Sequence, residues 1–103
     1  MTPGFIALLD LSTSADDRAD AVARLDAERP AVEAMDGCIG CRIFTCRHDE
    51  TAITVVHEWI DQESFDCYLA SPMFARSSEA VRPLMTTPPV SRRFRVDLIE
   101  TVA

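Results

Sequence analysis

The period of the apolar residues switches repeatedly along this chain, and the order of those switches constrains the fold more than any single motif. Phe5-Ile6-Ala7-Leu8-Leu9-Asp10-Leu11 is a short apolar run closed by Ser12-Thr13-Ser14. Its length and flanks predict a strand with apolar side chains on both faces. Ser12, Thr13 or Ser14 is expected to cap a helix, with Asp16 and Asp17 in a first turn whose dipole favours acids. Val22, Leu25, Val32 and Met35 then recur at helical steps and form one stripe, while Asp20, Arg24, Asp26 and Glu28 are expected to face water. Pro30 falls inside this pattern, which predicts a kink or a one-turn break near Glu28. Asp36-Gly37 ends the helix, with Gly37 suited to the left-handed cap position.

Residues 38–48 predict a second strand, Asp49-Glu50 a tight connection, and residues 51–60 a third strand rich in β-branched side chains. A helix over 61–70 has Asp61 as its cap and turns Phe65 and Leu69 inward. Ser71-Pro72 starts a further helical segment reaching about Met85, and Thr86-Thr87-Pro88-Pro89 is a loop. Over 91–102, Phe94, Val96 and Leu98 alternate with Arg93, Arg95 and Asp97, the period of a last strand.

The order β-α-β-β-α-β is the split βαβ arrangement of the ferredoxin-like α+β fold: a four-stranded antiparallel sheet with its helices on one face. The 103 residues leave room for a single domain, 1–103. Strands one and three are apolar on both faces, yet a chain this short has nothing to lay over the second face. A second copy across a two-fold axis is the expected cover, so the expected partner is a homodimer formed through the sheet.

The net charge of −7 weighs against a nucleic-acid or anionic-membrane partner, which needs clustered positive charge. All ten basic residues are arginine, and the chain has neither lysine nor asparagine. Met1 to Gly4 carries no basic residue, and Phe5 to Leu9 is too short for a signal core or a membrane span. The expected location is therefore cytoplasmic, where Cys38, Cys41, Cys46 and Cys67 are reduced thiols. Cys38-Ile39-Gly40-Cys41 spells a CxxC, but at a strand start rather than at the helix N-terminus that stabilises a redox thiolate. Cys46 and His48 lack the tight-turn spacing of a zinc site, so the cysteines read as small buried apolar residues and no metal is expected.

Glu33-Ala34-Met35-Asp36-Gly37-Cys38-Ile39-Gly40 is similar to the helix end followed by Pro-Gly-Cys-Leu-Gly with which the antibiotic biosynthesis monooxygenase (ABM) family enters a strand. Val55-Val56-His57-Glu58-Trp59 is similar to that family's third-strand pattern ending in Glu and Trp, and Phe65, Leu69, Ser71-Pro72 and Phe74 follow at its spacing. The chain thus resembles the ABM family, a group of dimeric α/β-barrel proteins, over nearly its whole length. The resemblance implies a cofactor-independent oxygenase that converts an anthrone, quinol or other aromatic polyketide to a quinone with O₂. Such chemistry needs no cofactor because a deprotonated phenol or anthrone reduces O₂ itself, provided the protein holds it, favours its anion and excludes water. Of four positions implicated in anthrone-oxidising members, the Trp is matched by Trp59. The Asn position is Val55, the Tyr position Phe65 and the Arg position Glu79, with Arg76 and Arg82 one turn away. The haem-degrading branch is less similar, since its Trp and His positions are Tyr68 and Ser78.

Ile53, Val55, His57 and Trp59 share one face of the third strand by alternation. The resemblance turns that face toward the helices, where Tyr68 and Arg82 would stand opposite His57. The expected site then has His57 as a base of ordinary pKa, Trp59 lining the pocket, and Tyr68, Arg82, Val55, Phe65 and Phe74 in contact with a small aromatic substrate. The structural alternative makes His57 and Trp59 core side chains with partners inside the protein. Glu58 falls on the other face, expected at the interface with Arg93 or Arg95. Two further functions remain open on the same scaffold: a non-catalytic dimeric ligand-binding or accessory protein, and a cyclase or isomerase using His57 for proton transfer.

Overall fold

Alternation along two strands sets the architecture. In the computed structural model, which describes Met1 to Ala103, β1 (Phe5–Ser12) and β3 (Ala52–Trp59) pair antiparallel at the centre of one sheet, with Phe5 opposite Trp59 and Ala7 opposite His57. β2 (Cys38–Thr45) adds outside β3, and β4 (Val90–Arg95) outside β1, giving the order β2-β3-β1-β4, every pair antiparallel. The connections α1 (Arg18–Glu33), α2 (Gln62–Leu69) and α3 (Pro72–Val81) complete the β-α-β-β-α-β topology, with a 3-10 turn at Arg82–Leu84 before β4. The fold is ferredoxin-like.

One set of alternate residues, Phe5, Ala7 and Leu11 with Ile53, Val55, His57 and Trp59, is buried beneath the helices. Each large apolar side chain so buried stabilises the fold by about 1.5–3 kcal/mol. The other set, Ile6, Leu8, Thr54, Val56 and Glu58, is only partly covered. Phe44, Val90 and Phe94 of the outer strands are exposed on the same side.

Two helix starts follow the expected chemistry. Asp61 Oδ1 accepts from the Ser64 amide at 2.8 Å, and Ser71 Oγ accepts from the Phe74 amide at 3.3 Å with Pro72 in the first turn. The first helix does not. Ser12 lies in β1, buried Thr13 forms a bridge with Met85, and Ser14 Oγ accepts from the Asp17 amide at 3.1 Å in a separate turn. α1 therefore begins at Arg18, after Asp16 and Asp17, with Asp20 as its first-turn acid and no side-chain cap. Pro30 breaks nothing: α1 runs unbroken to Glu33, and the Ala34 amide bonds the Pro30 carbonyl at 3.1 Å. Pro30 and Asp26 are both exposed, so water can serve the carbonyl that the missing N–H leaves free.

Further expectations need correction. Glu28 does not simply face water, because it pairs with Arg76 at 3.0 Å, and Arg24 donates to the Ala80 carbonyl at 2.9 Å. Glu58 pairs with Arg42 at 3.1 Å; the β4 register puts Arg93 opposite Ala7 and Arg95 opposite Phe5, on the inner face and out of its reach. Cys46 and Cys67 are exposed, and only Cys41 is fully buried. β4 ends at Arg95 instead of Val102: the Val96 amide still bonds the Gly4 carbonyl at 3.1 Å, but Leu98, Ile99 and Val102 beyond it are exposed.

Gly37 joins α1 to β2 at φ +82°, and its carbonyl accepts from the Ile60 amide at 2.8 Å. A Cβ there would stand 2.2 Å from Ser64 Oγ, inside the first turn of α2. Gly37→Ala is expected to lower stability by about 1–3 kcal/mol, from the positive φ and the clash together. A denaturation midpoint equal to wild type would show that the junction yields freely.

Candidate active site

The row of the sheet through His57 has Ala7 on one side and Cys41 on the other, both small. The row below it, Phe5 opposite Trp59, is filled with aromatic rings. This change in side-chain volume is what opens a cavity of about 630 Å³ between sheet and helices, bordered by Ala7, Cys41, Val55 and Ile43 on the sheet side. α2 contributes Phe65 and Tyr68 to it, α3 contributes Phe74 and Ser77, and the turn after α3 contributes Arg82. A mostly apolar cavity of that size with a few converging polar groups has the form of a small-molecule site.

Of the residues expected at a site, Val55, His57, Phe65, Tyr68, Phe74 and Arg82 all line this cavity. Trp59 does not. Its indole is fully buried, with its ring centroid 6.1 Å from Phe65 and 5.5 Å from Tyr68. Its Nε1–H donates to His57 Nδ1 at 3.4 Å, so it acts on the cavity through His57 and the two rings it packs against. The imidazole in turn stands 5.2 Å from the Tyr68 ring, edge to face.

Because Nδ1 accepts from Trp59, the proton of neutral His57 resides on Nε2. Burial also pushes the pKa of His57 from 6.5 down to about 4. The expected base of ordinary pKa is therefore corrected: near neutral pH the side chain is an uncharged hydrogen-bond donor. Burial likewise pushes the Tyr68 hydroxyl up to about 12, with Cys41 adding to the rise and Ser77 opposing it, so Tyr68 also stays protonated. The Cys41 thiol, raised to about 12 by burial and by Cys38 and Glu33, is inert as a nucleophile.

Sequence reasoning missed Ser77, Arg93 and Glu28, which also line the cavity. Ser77 lies three residues after Phe74 and four before Val81, so helical spacing from two apolar residues gives its position. Arg93 is masked by its charge, although its alternation with Phe94 marks the face. Its guanidinium carbon is 5.1 Å from the centre of the Phe65 ring, a cation–π contact at the cavity wall. Arg82 and Arg93 are both exposed and neither forms an ion pair, whereas Glu28 is neutralised by Arg76.

The lowered pKa of His57 makes stability depend on pH. Above pH 6.5 the ring is neutral in both folded and unfolded chains. As pH falls from 6.5 to about 4, the unfolded chain takes up a proton that the folded one refuses, so stability is lost across this window. The loss from this group is on the order of 3 kcal/mol. Denaturant titrations at pH 7 and pH 4.5 are expected to show a smaller acid loss for His57→Gln than for wild type. Equal losses would mean that the imidazole is protonated in the folded protein.

The sequence matches the antibiotic biosynthesis monooxygenase family over residues 4–80. No curated protein matches it. A candidate antibiotic biosynthesis monooxygenase from Deinococcus radiodurans has the same fold, with a TM-score of 0.86 at 18% identity over 96% of this chain and 98% of that one. The protein Rv0793 from Mycobacterium tuberculosis superposes with a TM-score of 0.82 at 18% identity, over 93% of this chain and 98% of its own. A conserved protein from Methanosarcina mazei gives 0.85 at 12% identity, over 93% and 95%. Identities this low establish the fold, and the match over residues 4–80 establishes the kinship: the chain belongs to the antibiotic biosynthesis monooxygenase family.

Proposed function

We propose that this protein binds a small, flat, oxygen-bearing aromatic molecule between its sheet and helices and oxidises it with O₂ as a cofactor-independent monooxygenase. The observation that carries this reading is the cavity of about 630 Å³, apolar on most of its wall, with His57, Tyr68 and Ser77 as donors and unpaired Arg82 and Arg93 among its exposed lining residues. Apolar walls take up an aromatic ring system, while hydrogen-bond donors and cations favour the anion of an anthrone or quinol over its neutral form. An anthrone anion passes electrons to O₂ and forms a C–O bond at the carbon opposite its carbonyl. The peroxide so formed takes up a proton, and loss of water leaves the quinone: one oxygen atom stays as the new carbonyl, and the other departs as water with that proton and the remaining hydrogen of the carbon. Within this scheme His57 steadies the substrate oxygen and the substrate proton leaves to solvent.

The low basicity of His57 weighs against a cyclase or isomerase that would use it as a proton acceptor. It is compatible with a non-catalytic binding protein, the second reading, which Val55 at the family's Asn position also favours.

The partly covered outer face, with exposed Phe44, Val90 and Phe94 beside Leu8 and Val56, supports a homodimer formed through the sheet. Only 14 of 103 residues are buried in the isolated chain, which leaves a second copy much apolar surface to cover.

O₂ uptake with anthrone, corrected for autoxidation, is expected well above background with the metal-stripped protein. His57→Ala is expected to lower it by about 100- to 1000-fold, as for loss of one donor to a developing oxyanion. Background rates in wild type, with the aromatic molecule still bound, would turn the reading to the non-catalytic binder. Sedimentation at micromolar concentration is expected to give a dimer, shifted toward monomer by Val56→Asp on the outer face. A wild-type monomer would leave the homodimer without support.

A further inference from the structure

Ser77 Oγ is buried and has no hydrogen-bond partner anywhere in the protein. Buried hydroxyls are almost always paired, so an unpaired one on the wall of a cavity marks a place where something else supplies the partner. Two other polar groups of the cavity lining also lack a hydrogen-bond partner in the chain. The Nδ1 of His57 is taken by Trp59, which leaves Nε2–H without a partner in the chain. The Tyr68 hydroxyl is protonated and also without a hydrogen bond of ordinary geometry, although Ser77 is close enough to oppose its rise in pKa. The Tyr68 ring lies 5.2 Å from the His57 ring, its hydroxyl feels Ser77, and all three residues line the one cavity.

The geometry points to an oxygen-binding subsite made by His57 Nε2–H, Ser77 Oγ and the Tyr68 hydroxyl, which receives a keto or phenolic oxygen of an aromatic ligand. Trp59 is its positioning residue. This rests on the proposal that the cavity takes an aromatic molecule, and it names the group by which that molecule is recognised. A carbonyl or phenolic oxygen offers lone pairs to the fixed donor Nε2–H, and the proton of a phenol can go to the Ser77 or Tyr68 hydroxyl, which accept as well as donate. A hydrocarbon of the same shape would leave the three groups without partners. A ligand presenting an ammonium or amide N–H at that point would meet a donor with a donor. Ser77 and Tyr68 hydroxyls rotate to suit the oxygen, but His57 cannot, because the Trp59 indole N–H holds Nδ1 as the acceptor. The tautomer is thus set by a side chain that touches no ligand.

Two measurements test this. Long-range ¹H–¹⁵N spectra at pH 7 are expected to show His57 as the Nε2–H tautomer, and Trp59→Phe to shift it toward a mixture. A wild-type His57 protonated on Nδ1 overturns the proposal. Titration with 1-naphthol and naphthalene, matched in shape and differing in one oxygen, is expected to show naphthol binding about tenfold tighter or more, the size of a desolvated hydrogen bond. The ratio is expected to fall severalfold in Ser77→Ala, a change too small to disturb the fold, and in Trp59→Phe, while naphthalene binding changes little. If both compounds bind wild type equally, or if the ratio survives Ser77→Ala unchanged, the subsite is overturned and aromatic binding stands. If neither compound binds, the aromatic reading of the cavity falls and takes the subsite with it.

Discussion

Trp59 sits at the end of β3, where the sheet's inner face meets α2, and its complete burial ties together elements that are distant in sequence. It lies opposite Phe5 of β1 and Cys38 of β2, and its ring contacts Phe65 and Tyr68 of α2. Phe5 and Phe65 pack at 5.0 Å in the same cluster. These rings close one end of the space between sheet and helices. In the next row the sheet offers Ala7 and Cys41 instead, and the space opens. A small domain has little apolar surface with which to stabilise itself, and this one concentrates its aromatic packing at one end so that the other can remain hollow.

The same packing sets the chemistry of the wall. An imidazole in water would be a base near neutrality, but beside Trp59, Phe65 and Tyr68 it loses the solvent that stabilises its charged form. The indole N–H then selects which nitrogen holds the proton. Burial and a single hydrogen bond convert a potential base into a fixed donor. The cost in acid stability and the fixed donor are two expressions of the same desolvation.

The fold was legible because periodicity reports which face of an element is buried. The alternation Ile53, Val55, His57, Trp59 and the stripe ending in Val32 and Met35 were enough to order strands and helices. Elements failed where a local preference met a tertiary demand. Thr13 is a competent helix cap, yet it is buried in a bridge to Met85, and α1 starts later. Pro30 should break a helix, but an exposed Asp26 carbonyl can turn to water. At the site, alternation and helical spacing brought Val55, His57, Phe65, Tyr68, Phe74 and Arg82 to one cavity, while Trp59 went behind it. Residue type misled there: tryptophan suggested a pocket wall, and histidine a base, but each role depends on the neighbour's hydrogen bond, which no spacing records. Ser77 and Arg93 carried spacing signals that their polarity concealed.

Charge divides along the sheet in a way that bears on both surfaces. On the outer face each strand arginine has an acid, with Arg42 against Glu58 and Arg92 against Asp10. A face that neutralises its own charges and exposes Phe44, Val90 and Phe94 can be covered without leaving those charges unpaired, which limits the cost of taking them out of water. The inner side of β4 is the reverse. Arg93 has no acid and rests on Phe65, and Arg82 is likewise free, in a chain whose net charge is −7. Leaving two cations unpaired beside a cavity while acids are in excess elsewhere raises the local preference for negative ligands. Burying one face against another copy and turning the other toward an anion-forming guest are therefore compatible demands, because β4 alternates its side chains between them.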